Sequence, residues 1–185
     1  MQDTFVDAHL FRGLQAFSQK QYSKALEDYQ AALEFPANLE NAWPYAGGKT
    51  CEIFYYIGTA YEGLGEVAKA REFFQKAAGA GQESAWSVQR YYQGMALIKL
   101  GEETKARALF SGLFKFASGE AGAGVDFFSK FGEKVPINVR RSRDHYLMGL
   151  AWLGQGEKEK AKIELKQAID LDLNNTWGRI QLSQQ

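Results

Sequence analysis

The sequence predicts an all-α fold: an α-solenoid of about four helix pairs, with a long insert before the last pair. Three observations carry this. Four stretches share one spacing, a mid-helix glycine, an alanine twelve residues on and an aromatic or leucine four beyond that. They are Gly13/Ala25/Tyr29, Gly58/Ala70/Phe74, Gly94/Ala106/Phe110 and Gly149/Ala161/Leu165. A fixed period of this kind marks an array of like supersecondary units. The glycines stand 45, 36 and 55 residues apart, which is a constant unit of 34 residues with inserts of 11, 2 and 21 between units. Within the units, apolar residues recur at the three-four spacing of an amphipathic helix.

With the glycine at the eighth place, the units run 6–39, 51–84, 87–120 and 142–175, and the insert covers about 121–141. The 185 residues then form one repeat domain, 1–185. In the first unit the buried stripe is Tyr22, Ala25, Leu26, Tyr29, Ala32 and Leu33. In the second, Glu52–Leu64 is apolar nearly all round, so it is buried on more than one side. Gly65 ends it as a C′ glycine would, and Val67–Ala78 follows with Val67, Ala70, Phe74, Ala77 and Ala78 on one face. The same two-part reading gives Val88–Leu100 with Glu102–Phe114, and Asp144–Leu153 with Glu157–Leu171. A glycine inside a helix costs about 1 kcal/mol against alanine. That cost makes sense if a partner helix approaches closely there, the alanine supplying the small surface opposite and the aromatic filling the space beside it.

Two segments resemble the tetratricopeptide repeat: Tyr56-Ile57-Gly58-Thr59-Ala60-Tyr61-Glu62-Gly63-Leu64-Gly65-Glu66-Val67-Ala68-Lys69-Ala70, and Met148-Gly149-Leu150-Ala151-Trp152-Leu153-Gly154-Gln155-Gly156-Glu157-Lys158-Glu159-Lys160-Ala161. The resemblance implies a right-handed solenoid, no catalytic activity, and a concave face lined by the first helix of each pair. One departure is the family's closing proline, whose place is held by Ala37, Gln82, Ser118 and Leu173, with Pro36 one residue early. The implied groove places are the second, fifth, ninth and twelfth of each unit. They give a largely apolar floor, with Tyr55, Thr59, Glu62, Tyr91, Met95, Ile98, Arg143 and Tyr146 as the candidate partner-binding residues. The array that grips a peptide's terminal carboxylate has lysine and asparagine where this chain has Leu10 and Leu14, so a chaperone-tail clamp is not expected. An apolar groove suits an amphipathic helix. Ala31-Ala32-Leu33-Glu34-Phe35-Pro36-Ala37-Asn38-Leu39, a Gly-Gly-Lys and Phe54-Tyr55-Tyr56-Ile57-Gly58 together resemble the C-terminal repeat region of large bacterial proteins that carry carbohydrate-related modules. That resemblance implies, as the alternative, an accessory domain that positions or dimerises a larger protein.

Composition narrows the function classes. Lys+Arg and Asp+Glu are each 22, so no basic field exists to attract nucleic acid or an acidic membrane. Cys51 is the only cysteine, which excludes an intrachain disulfide. Met1-Gln2-Asp3-Thr4-Phe5 shows no basic region leading into an apolar core, so a cytoplasmic location is the default expectation. His9, Cys51 and His145 stand on different units, which does not make a metal or nucleophile set. Gly47-Gly48-Lys49-Thr50 holds half of a phosphate loop, but Trp43 occupies the place of its first glycine. Ser118-Gly119-Glu120-Ala121-Gly122-Ala123-Gly124 reads as a hinge. No enzyme, no cofactor and no metal are expected. The expected partners are a protein or peptide, another domain of the same polypeptide, or a second copy in a homodimer. The insert carries Phe127, Phe128 and Phe131 and predicts a short helix at about 125–132 that folds back on the array. It serves either as packing or as one wall of a partner site.

Overall fold

The computed structural model describes residues 2–34, 49–80, 87–120 and 135–185. Among these, every regular element is α-helical: α1 (Gln2–Ser18), α2 (Tyr22–Ala31), α3 (Thr50–Gly63), α4 (Val67–Gly79), α5 (Val88–Lys99), α6 (Glu103–Ala117), α7 (Ile137–Gly154), α8 (Lys158–Leu171) and α9 (Thr176–Ser183). They follow one another as helix pairs, as an α-solenoid requires. The expected helix at 125–132, with Phe127, Phe128 and Phe131, lies outside the described residues, as do Gly47 and Gly48. The insert is shorter than expected at its far end. α7 starts at Ile137, so residues 137–141 are helical. Pro136 sets this start: its ring cannot continue a helix upstream, while its carbonyl accepts the Arg140 N–H at 3.1 Å.

The chain divides into two compact units, Met1–Ala85 with Tyr92–Glu103, and Trp86–Tyr91 with Thr104–Gln185.

One turn recurs in all four repeats, at the same places. The fifteenth place is left-handed each time, at Lys20 (φ 59°), Gly65 (76°), Gly101 (82°) and Gly156 (80°). The next residue then reaches back across the helix end. Gln21 N–H donates to the Ala16 carbonyl (2.9 Å), Glu66 to Tyr61 (2.9 Å), Glu102 to Leu97 (2.8 Å) and Glu157 to Trp152 (2.9 Å). This satisfies carbonyls that a helix end leaves open. The residue that closes one helix also opens the next. The carbonyls of Gln21, Glu66 and Glu157 accept the N–H of the repeat alanines Ala25, Ala70 and Ala161 at 3.0, 2.9 and 3.0 Å. Lys20 pays for a left-handed backbone with a side chain, where glycine is the easier occupant.

The repeat glycines are sites of close approach, though not quite as expected. The aromatic or leucine lies over the glycine itself rather than beside it. A methyl group on Gly13 would stand 2.3 Å from the Tyr29 ring, one on Gly58 2.6 Å from Phe74, and one on Gly149 2.9 Å from Leu165. The missing Cβ is what makes room for the ring. Two further glycines do the same work between consecutive pairs. Tyr22 covers Gly63 within the first unit, and Phe110 covers Gly154 within the second.

The cores follow from these contacts. In the first unit Tyr29 stacks on Tyr56 at 5.3 Å, and Ala70, Phe74 and Ala77 of α4 cluster with Ala96 of α5. In the second, Phe110 meets Tyr91 at 6.1 Å and Phe114 meets Trp152 at 4.7 Å. α9 then packs on α8. Asn175 starts α9, its side chain accepting the Gly178 N–H at 2.9 Å. The α7–α8 pair is therefore covered by a further helix on its α8 side.

Candidate partner-binding site

Within the first unit, α3 and the Tyr92–Lys99 part of α5 lie side by side. Tyr92 sits 5.6 Å from Tyr55 and 5.4 Å from Tyr56, and Lys99 pairs with Glu62 at 2.6 Å. Five of the eight candidate residues belong here. Tyr55 and Thr59 are half-buried and Glu62 is exposed on α3; Met95 is half-buried and Ile98 is 39% exposed on α5. Thr59 Oγ1 donates to the Tyr56 carbonyl at 2.8 Å, as a threonine inside a helix commonly does. Burial, and then the Glu62 charge, push the Tyr55 hydroxyl up to about 12.

The other candidates are placed differently. Tyr91 and Tyr146 are each only 7% exposed. Leu10 and Leu150, at groove places of their repeats, are wholly buried. Arg143 is exposed and stands 3.8 Å from Asp144. Burial holds the Asp144 carboxyl above its ordinary range, with Arg143, Arg140 and His145 working against the shift.

Glu52 is the charged groove-place residue that the fold buries. Its register puts it on the groove, yet it is buried at 3% exposure. The Tyr92 hydroxyl donates to its carboxyl, and Tyr56 and Tyr92 join through their hydroxyls at 2.7 Å. Glu52 Oε1 has no hydrogen-bond partner. Lys49, just before α3, pairs with Asp7 of α1. Burial pushes the Glu52 carboxyl up to about 7; Lys49 and the Tyr92 bond pull it down, and the Asp7 charge adds to the rise. A signal was available: Glu52 is the one charge in the run Thr50-Cys51-Glu52-Ile53-Phe54-Tyr55-Tyr56-Ile57.

Corresponding places elsewhere hold helices together. His9 bonds Asp28 at 3.1 Å, and His145 bonds Glu164 at 2.7 Å, with the same separation of 19 residues. Ser142, buried, donates to the Ala168 carbonyl at 2.7 Å and accepts from Asn175 Nδ2 at 3.0 Å. Cys51, at the same place of its repeat, is buried with its thiol on the Ala80 carbonyl. Among the described residues, no three metal-ligating side chains gather, and no helix is long and apolar enough to cross a membrane.

Residues 52–79 and 145–175 each match a family model described as tetratricopeptide repeat. These two segments are tetratricopeptide-like repeats. The two matches fall on α3–α4 and α7–α8. Several solved structures are also similar. YrrB, described as a TPR protein with an unusual peptide-binding site, shares 21% identity, with 93% of this chain and 89% of that one covered, at a TM-score of 0.34. MamA from residue 41 onward, from Desulfovibrio magneticus RS-1, shares 19% identity over 96% of this chain and 81% of that one, at a TM-score of 0.33. The C-terminal part of a TPR repeat-containing protein from Cytophaga hutchinsonii shares 16% over 93% and 68%, at 0.31. No curated protein matches the chain by sequence. None of these tetratricopeptide likenesses bears on the expected link to carbohydrate-related modules.

Proposed function

We propose that the chain is a non-catalytic interaction module that holds an amphipathic helix of a protein partner on the α3–α5 face of its first unit. The observation that supports this is the adjacency of α3 and the Tyr92–Lys99 part of α5, through the Tyr55–Tyr92 ring contact and the Glu62–Lys99 pair; Thr59, Met95 and Ile98 stand at groove places by register on the same two helices. An amphipathic helix docks by laying its apolar side into such a trough, while charges at the edge set its orientation. The scaffold beneath is preformed: Tyr92 wedges against both Tyr55 and Tyr56, so little ordering has to accompany binding. Tyr91 and Tyr146 support the fold and are not contact residues in this reading.

The test is a paired pull-down from the native extract. A Thr59→Arg/Ile98→Asp double variant, with helicity intact by circular dichroism, is expected to lose its bound proteins. A Val67→Asp control, at a position 74% exposed and off this face, is expected to keep them. Identical capture by both variants would remove the α3–α5 face from consideration.

A further inference from the structure

Glu52 is a carboxyl sealed inside the first unit, 3% exposed and with Oε1 unpartnered. A buried polar atom left without a partner is uncommon in a folded protein and calls for an explanation. Glu52 also sits where three helices meet. Asp7 faces it from α1, Lys49 from the residue before α3, and Tyr92 from α5, with Tyr56 of α3 bonded to Tyr92 behind it. Lys49 already serves Asp7, so Glu52 shares the one nearby ammonium with a second carboxylate. In water a carboxylate accepts several hydrogen bonds; here one oxygen has Tyr92 and the other has none. A neutral acid fits such a seat better than an anion, because burial penalises the charged form.

We propose that Glu52 is a proton-operated latch on the first unit. Protonated, it lies in its seat without charge cost and holds α1, α3 and α5 together. Ionised, it carries a buried charge that the shared Lys49 ammonium and the Tyr92 hydroxyl offset only in part, and this loosens the hold. The latch stands whether or not the α3–α5 face binds a partner.

The sign follows from linkage. The carboxyl moves from 4.5 to about 7 on folding. Between those values the folded chain keeps a proton that the unfolded chain gives up. The stabilisation is therefore complete below the unfolded value and is lost as pH rises through about 7. Between about pH 5.5 and 8 the opening equilibrium of the first unit should change by roughly 30-fold.

Native-state hydrogen exchange of the α3 amides in the full chain, corrected for intrinsic exchange, reads this directly. Protection in the unaltered chain should fall roughly 30-fold across that pH range. In Glu52→Gln it should be flat. Lys49→Met, which removes the cation favouring the ionised form, should move the fall to higher pH. Imidazoles as a class titrate in this range, so His9→Asn is the control, and it should keep the fall. A flat profile in the unaltered chain, an equal slope in Glu52→Gln, or loss of the slope in His9→Asn would overturn the latch. If Glu52→Gln fails to fold, carboxyl-carbon NMR of the unaltered chain decides instead. A Glu52 midpoint at the ordinary glutamate value overturns the proposal, and one near 7 supports it.

Discussion

At corresponding places the α3–α4 and α7–α8 pairs meet through different side chains. Where Phe54 and Phe73 approach at 6.1 Å, His145 and Glu164 share a hydrogen bond of 2.7 Å. Where Phe74 lies over Gly58, Leu165 lies over Gly149. The Cys51 thiol and the Ser142 hydroxyl both open their repeats, but the thiol meets the carbonyl of Ala80 and the hydroxyl that of Ala168, three places earlier in its repeat. Both pairs nonetheless turn at the same place and close with the same 2.9 Å bond. The difference teaches that backbone geometry at the turn and space at the glycine define the repeat. The side chains that meet across the helix pair can then be two rings, an imidazole and a carboxyl, or a hydroxyl and a carbonyl.

The largest expected effect lies in the aromatic pair. Phe74→Ala removes a side chain only 3% exposed and should cost about 3–5 kcal/mol, read from denaturant unfolding. A loss under about 1 kcal/mol would mean that the pair does not rest on this ring. Next comes the glycine contrast. Alanine gains about 1 kcal/mol of helix propensity. At Gly58, however, its methyl would stand 2.6 Å from a rigid ring, whereas at Gly149 it would stand 2.9 Å from the Leu165 Cδ2 and Cγ, part of a flexible side chain. Gly58→Ala should therefore destabilise by about 1–3 kcal/mol and Gly149→Ala by clearly less. Equal losses would break the comparison. Ser142→Ala strands the Asn175 amide donor and one Ala168 carbonyl bond, and should cost about 1–2 kcal/mol in the α7–α8 pair. The smallest effect belongs to the imidazole–carboxyl contact. His145 and Glu164 are both partly exposed, so a double-mutant cycle should give about 0.5–1 kcal/mol. A coupling above about 2 kcal/mol would show that this hydrogen-bonded pair does more than replace the aromatic one.

Much of this architecture was legible in the sequence, because spacing reports backbone geometry. Gly13, Gly58 and Gly149 declared their helix crossings, and Gly65 declared its turn, since only a missing side chain suits those positions well. Lys20 did not, although it occupies the same left-handed place, because lysine carries no conformational signature. The candidate site was legible only in part. Helical register gave the side of the helix on which Tyr55, Thr59, Met95 and Ile98 stand. It could not tell that Tyr91, Tyr146 and Glu52 on like places are covered, because cover comes from neighbouring helices rather than from the residue's own helix. α9 was equally hard to see: eight residues are too few for periodicity, and its start rests on one side-chain bond from Asn175.

The turn at Lys20, Gly65, Gly101 and Gly156 ties each hairpin with a bond that spans only five residues. Such low contact order lets every hairpin nucleate by itself, on the timescale of short loop closure rather than of long-range docking. A chain assembled this way tolerates added residues between hairpins, which explains how spacers of 11, 2 and 21 residues coexist with one unbroken register.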